Sequence, residues 1–185
     1  MGLLLAVILA MFLLPLFYVV SPYQLDPSKI LEAPSFQHLF GTDRLGRDML
    51  ARILNGGQTS LIIGFLAASI SSIVGLFIGI TAGYFKGNID RTITIMIDLF
   101  LTFPTFFLLL ALVSYIQASA LILIIVISIT SWMGMARMIR SESFAIGNKP
   151  FIKILKVANV STFKIIFKYF APLLAPIFLI SFTFG

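Results

Sequence analysis

Cysteine is absent, which excludes disulfides and thiolate metal sites. Histidine occurs once, at His38, so no multi-histidine centre can form. Charge is scarce as well. The 13 basic and 7 acidic side chains make up 11% of 185 residues, against about 25% in an ordinary soluble domain. With 59% of its residues hydrophobic, such a chain has too little polar material to clothe a soluble core. No phosphate-cradling glycine loop with its lysine, no paired carboxylates and no serine–histidine or metal constellation is present. Nothing in the residues therefore points to an enzyme, a cofactor or a metal. The net charge of +6 raises nucleic acid as a partner. The basic residues are spread between long apolar runs rather than gathered with stacking aromatics, which argues against nucleic acid.

What the chain has in abundance is apolar sequence in lengths that suit a lipid bilayer, whose core takes about 20 apolar residues per helix. Leu3–Val20, Ser60–Thr81, Thr92–Ile116, Ala118–Ala136 and Phe170–Gly185 are such runs, and Asp98 is the only charge within them. The first has no basic leader, contains Pro15 and ends in a poor cleavage site at Val20-Ser21-Pro22, so it reads as a retained span rather than a signal peptide. The last stops after 16 residues, short of a full crossing. The pattern predicts one all-α, polytopic membrane fold.

Two regions are distinguishable, 1–57 and 58–185. In the first, the polar stretch Ser21–Thr59 begins with Pro22, Pro27 and Pro34, which disfavour helix. From Thr42 to Leu54 the spacing of Leu45, Met49, Leu50, Ile53 and Leu54 predicts a short amphipathic helix at the membrane surface, closed by Asn55-Gly56-Gly57. Arg44–Asp48 and Asp48–Arg52 stand at i,i+4 spacing within it. The loop after the first span carries Lys29, Arg44, Arg47 and Arg52, balanced by as many acids. Nine basic residues, from Lys86 through Lys168, fall on the other side. Basic residues collect on the cytoplasmic side, so the N-terminus is expected in the cytoplasm and the 21–59 loop outside.

Gly75 and Gly79 form a small-xxx-small pair with Gly64 nearby, which favours close helix packing or, more boldly, a dimer contact. A carboxylate within a span costs about 2.5–3.5 kcal/mol at the helix centre. Asp98, toward the cytoplasmic end, is thus expected to meet Arg91 or a loop lysine, or else to serve substrate or proton passage. Pro104 is expected to kink the same helix. Between residues 140 and 168, Phe151, Ile154, Leu155 and Ala158 recur at helical spacing. Asn159 suits a left-handed turn, and Ser161 suits the N-cap of a second helix carrying Phe163, Ile166, Phe167 and Phe170. The result is a helix–turn–helix on the inner face with a lysine rim. It reads equally as an interfacial element held by anionic lipid or as a docking element for a cytoplasmic protein.

The run His38-Leu39-Phe40-Gly41-Thr42-Asp43-Arg44-Leu45-Gly46-Arg47-Asp48-Met49-Leu50 resembles the signature of the second permease subunit of dipeptide, oligopeptide and nickel ABC importers. Ala82-Gly83-Tyr84-Phe85, Asp98 with Phe103-Pro104, and Trp132 through Arg140 extend the likeness. The resemblance implies the type I ABC importer permease fold, with about five of its six spans present and the C-terminus apparently truncated. It implies a heterodimer with a related permease subunit, two cytoplasmic ATP-binding subunits and an extracytoplasmic solute-binding protein. The setting would be the inner membrane, with peptides, nickel or a metal chelate as cargo. Gly41, Thr42, Asp43, Gly46, Arg47 and Asp48 would form the external family motif. Pro150, Phe151, Lys153, Ile154, Leu155, Ala158, Asn159 and Ser161 would couple to the ATPases. At the family's E-A-A-x-x-x-G positions this chain has Lys153, Ile154, Leu155 and Asn159. The departure reverses one charge and enlarges two small residues, although Asn159 keeps the turn and Pro172 matches the proline that follows. It implies an unusual ATPase partner or a decaying gene product. Two other readings stay open: a secondary transporter or channel component using Asp98, and a non-functional truncated permease fragment.

Overall fold

The computed structural model describes residues 2–102, 107, 110, 114 and 119–184. Phe103 and Pro104, and with them the expected kink and most of the second half of the Thr92–Ile116 run, lie outside the described residues. The described chain is helical: α1 Gly2–Phe17, α2 Met49–Phe85, α3 Gly87–Thr102, α4 Ala120–Gly147, α5 Pro150–Val157, α6 Thr162–Ile165 and α7 Ala171–Phe184, with a 3-10 turn at Pro27–Lys29 and a π turn at Ile166–Phe170. Among the described residues three stretches are long and apolar enough to cross a membrane, Met49–Phe85, Ala120–Gly147 and Thr162–Thr183, and Gly2–Phe17 is a shorter apolar helix. Among the described residues the sole β pairing is one antiparallel bridge, Thr42 with Asp48. The architecture is an all-α polytopic membrane fold. Its chain divides into two compact units, Met1–Ile63 and Gly64–Gly185.

The first unit corrects the predicted Thr42–Leu54 helix. Gly41 and Gly46 adopt positive φ, 71° and 72°, and hold residues 42–48 in a compact loop. Helix α2 starts only at Met49, and the Asp48 carboxylate accepts from the Ala51 N–H at 2.7 Å in the manner of an N-cap. Asn55-Gly56-Gly57 does not close a helix either. All three residues stay within α2. The Asn55 side chain accepts from the Tyr23 hydroxyl at 2.8 Å instead of capping, and Gly57 lies against the Met11 side chain of α1. Tertiary contact here overrides the turn propensity of the three residues.

In the second unit, α2 and α4 cross at very short range. A Cβ placed on Gly75, Gly79 or Gly83 would lie 2.7 Å from the carbonyl oxygen of Trp132, Ala136 or Arg140, respectively. The three glycines are four residues apart, as are the three carbonyls, so one ridge of α2 meets one ridge of α4 backbone to backbone. The pair Gly75 and Gly79 thus packs within the chain, Gly83 continues it, and Gly64 has nothing within 4 Å. Ser143, fully buried with no partner for its hydroxyl, faces Gly83, and its small side chain admits the close approach. Around this crossing a cluster of Ile80, Tyr84, Met135, Ile139, Ile146, Ile152, Ile165, Phe170 and Leu174 joins α2 and α4 to the short helices and α7.

Helix α2 ends at a tight corner where Lys86 and Gly87 both take positive φ, 57° and 58°. Farther on, Pro172 has no N–H to offer the Lys168 carbonyl. The chain accommodates it with the π turn Ile166–Phe170, closed by the Ala171 N–H on the Ile166 carbonyl.

Gly79→Val is expected to push α4 away from α2 and lower stability by about 1–3 kcal/mol, whereas Gly64→Val, with open space around it, leaves stability unchanged. Thermal unfolding in detergent, followed by the fluorescence of the single tryptophan, Trp132, measures both.

Candidate functional site

The six residues expected to form an external motif are brought together in one loop of the first unit, bonded partly to one another and partly to their neighbours. Asp43 accepts from the backbone N–H of Leu45 at 2.8 Å and of Arg47 at 3.0 Å, from the Arg47 guanidinium at 2.8 Å, and from Arg52. Burial raises the Asp43 carboxyl, but these donors outweigh it and bring it down to about 2. Asp48 does not pair with Arg44 or Arg52, as the helical spacing predicts. It is buried and accepts from the Tyr18 hydroxyl at 2.6 Å and lies 2.9 Å from His38 Nδ1. Burial also raises Asp48, while the Ala51 N–H, Tyr18 and His38 hold it below the usual carboxylate range. Thr42 is buried, and its hydroxyl accepts from the Glu32 N–H at 2.9 Å and donates to the Lys29 carbonyl. A Cβ on Gly46 would run into the Asp26 carbonyl, and one on Gly41 into that of Glu32, so both positions admit only glycine. The side chains of Thr42, Asp43, Arg47 and Asp48 are thus all engaged in a clasp that ties the loop to the start of α2. Tyr18 and His38 complete it. His38 sits in the quoted motif, but nothing in the sequence marks Tyr18.

Asp98 and Asp90 on α3 face two arginines one helical turn apart on α4. Arg137 pairs with Asp98, and Arg140 grips Asp90 with both Nε and Nη2, the latter at 2.8 Å. Asp98 therefore meets Arg137 rather than Arg91 or a loop lysine. The apolar run ends at Ala136, just before these arginines, but α4 continues through them to Gly147.

The expected helix–turn–helix is present in the second unit. Pro150 opens α5 at its first position, where a missing N–H costs nothing. Asn159 takes φ 59°, which turns the chain, and Ser161 stands at the N-cap position of α6 although its hydroxyl makes no capping bond. The faces differ from the predicted stripe. Ile152 and Ile165 are the fully buried anchors, and Leu155 packs partly against the core. Phe151, Ile154, Ala158 and Lys153 are exposed, and so are Val157 and Phe163. A set of residues at the end of α2 seats this hairpin, and sequence reasoning gave them no such role. The Tyr84 hydroxyl lies 3.4 Å from Thr162 Oγ1, its ring packs edge-on against Phe170, and Lys156 Nζ sits 4.2 Å from its centroid. Lys86 Nζ donates to Asn148 Oδ1 at 2.6 Å and lies 4.1 Å from the Phe144 centroid. The one available signal was the position of Tyr84 within Ala82-Gly83-Tyr84-Phe85.

Residues 75–185, which include the crossing, the arginine pairs and the hairpin, match the family described as binding-protein-dependent transport system inner membrane component. The chain belongs to that family. It is 31% identical over 160 residues to the oligopeptide transport system permease protein OppC of Haemophilus influenzae, covering 85% of this chain and 51% of that protein. It is 35% identical over 164 residues to the dipeptide transport system permease protein DppC of Alkalihalophilus pseudofirmus, covering 88% and 54%. Against the OppC of Mycobacterium bovis it is 33% identical over 179 residues, covering 96% and 62%. The chain spans between about half and three fifths of the length of these curated relatives. As a family member it is a multi-pass inner-membrane permease component, and the family is one of transport rather than catalysis.

The clasp carries a pH signature with a definite sign. Asp43 and Asp48 are lowered, so their contribution is complete above the ordinary carboxylate range and is lost as pH falls, for Asp43 toward about 2. Hydrogen-exchange protection of the Leu45, Arg47 and Ala51 amides is expected to be full above the ordinary carboxylate range and to fall as pH drops below it. Gly46→Ala should remove that protection at every pH.

Proposed function

We propose that this chain is the membrane-spanning permease subunit of a peptide ABC importer, working with a related permease subunit, two ATP-binding subunits and an extracytoplasmic solute-binding protein. The subunit performs no chemistry itself. ATP hydrolysed by its partners moves the hairpin formed by α5 and α6, and that movement switches the transmembrane path between outward and inward opening. On this reading the hairpin and the N-terminus face the cytoplasm, as the loop charges predict, and the clasp lies on the side where a binding protein delivers cargo. Peptides are favoured as cargo by the names of the relatives. Nickel or a metal chelate is the alternative carried by the motif resemblance alone.

One observation carries the docking role. The hairpin is packed on the core through Ile152, Ile165 and Tyr84, yet it leaves Ile154 66% and Val157 88% exposed. Apolar knobs on a fixed, basic helix are what a protein groove takes up. The pairing of Asp98 with Arg137 supports a structural place for this carboxylate over a role in ion passage.

Ile154→Asp is expected to weaken ATPase association by on the order of 2 kcal/mol, roughly thirtyfold, and to stop peptide uptake, while membrane insertion is normal because Ile154 supports no core. Co-purification from membranes together with uptake of a labelled dipeptide reads both. Unchanged association would refute the docking role.

A further inference from the structure

The hairpin carries charge of one sign only. From Ser143 to Gly185 the sequence has five lysines and no Asp or Glu. All five, Lys149, Lys153, Lys156, Lys164 and Lys168, are exposed. Two of the ammonium groups near the hairpin's seat are held by groups other than carboxylates. Lys156 lies over the Tyr84 ring, and Lys86 lies over Phe144 and bonds to the Asn148 amide oxygen. Asp90 and Asp98, the carboxylates of α3, are taken by Arg140 and Arg137. Lys153 stands one helical turn before Lys156 on α5, and Tyr84, under the Lys156 ammonium, is two residues before Lys86, so the three cations are neighbours. Burial and then the charges of Lys156 and Lys153 hold Lys86 below the usual lysine range. Clustered like charges without counter-charges destabilise the element that carries them and attract anions.

We propose that the surface receiving this hairpin is an apolar groove with an acidic rim, in which carboxylates of the ATP-binding partner neutralise the cluster of Lys86, Lys153 and Lys156. The inference rests on the docking role assigned above and specifies the chemistry of the partner's side. Two features favour a protein carboxylate over a lipid headgroup. Lys86 and Lys156 are pre-positioned by aromatic rings and an amide, which lowers the ordering cost of a directed ion pair. The buried anchors Ile152 and Ile165 are already covered by the chain's own core, so the hairpin does not need lipid to complete its packing. An acidic rim beside Ile154, Val157 and Phe163 would select this hairpin against partners with basic grooves.

The test uses the assembled importer in nanodiscs of purely zwitterionic lipid and, in parallel, of lipid containing phosphatidylglycerol. Affinity for the ATPase is measured for wild type, Lys153→Glu, Lys153→Glu with Lys156→Glu, the matching Lys→Arg variants, and Ile154→Asp. The proposal expects Lys153→Glu, which leaves the contact between Lys156 and Tyr84 in place, to weaken association by about tenfold. The double variant should weaken it further and the arginine variants should bind normally, all equally in both lipids. Rising salt should also weaken wild-type association in zwitterionic discs. If Ile154→Asp abolishes association while the Lys→Glu variants bind like wild type, the docking role stands and the acidic rim is overturned. If the Lys→Glu effect appears only with phosphatidylglycerol, the membrane takes the lysines and the proposal is likewise overturned. If neither class of variant changes association, the docking role itself fails.

Discussion

The second unit depends on one close approach. Gly75, Gly79 and Gly83 let α2 touch the carbonyls of Trp132, Ala136 and Arg140 on α4. Inside a bilayer, exclusion of water does not drive helices together, because lipid tails are as apolar as leucine. Association must come from contact at short range. Three absent side chains allow that contact over two full turns. The crossing also brings Tyr84, the residue after Gly83, beside Ile139 and Ile146 in a single cluster. Arg137 and Arg140, on the continuation of α4, are held at the register where both α3 carboxylates can be reached. A small change in the helix separation would therefore act on the ion pairs and on the seat of the hairpin together.

The two units solve the problem of buried polarity in different ways. The loop around Gly41–Asp48 satisfies its carboxylates with backbone amides, a hydroxyl, an imidazole and guanidinium groups drawn from its own neighbourhood. It becomes rigid without a large core. Among the described residues no carboxylate pairs with the hairpin's lysines, and Ile154, Val157 and Phe163 are left uncovered. A closed clasp is suited to being recognised as a fixed shape. An open, charged and partly apolar hairpin is suited to being gripped and moved.

Much of this was legible in the residues. The long apolar runs at α2 and α4 could hardly be anything but membrane helices. The left-handed turn at Asn159 between two amphipathic segments was marked by residue type and spacing. What failed to show was anything set by contacts between distant parts of the chain. Asn55-Gly56-Gly57 has the local character of a helix stop, yet Tyr23 and Met11 make helix the better state. The charge spacing around Asp48 suggested helical pairs, yet positive φ at Gly41 and Gly46 redirects it toward Tyr18 and His38. Ile152 does not stand out as an anchor because the exposed face of α5 also carries large apolar residues, Phe151, Ile154 and Val157, beside its lysines. Local periodicity cannot tell a core from a docking surface when both are hydrophobic.

The claim that most of this account rests on is that the hairpin faces the compartment where ATP is available. The absence of cysteine makes that directly measurable. With Val157→Cys as the one thiol, 88% exposed at its native residue, a membrane-impermeant maleimide is added to intact cells and, separately, to permeabilised ones. The account predicts labelling only after permeabilisation, lost again when the ATP-binding partner is co-assembled. Labelling of intact cells would contradict it.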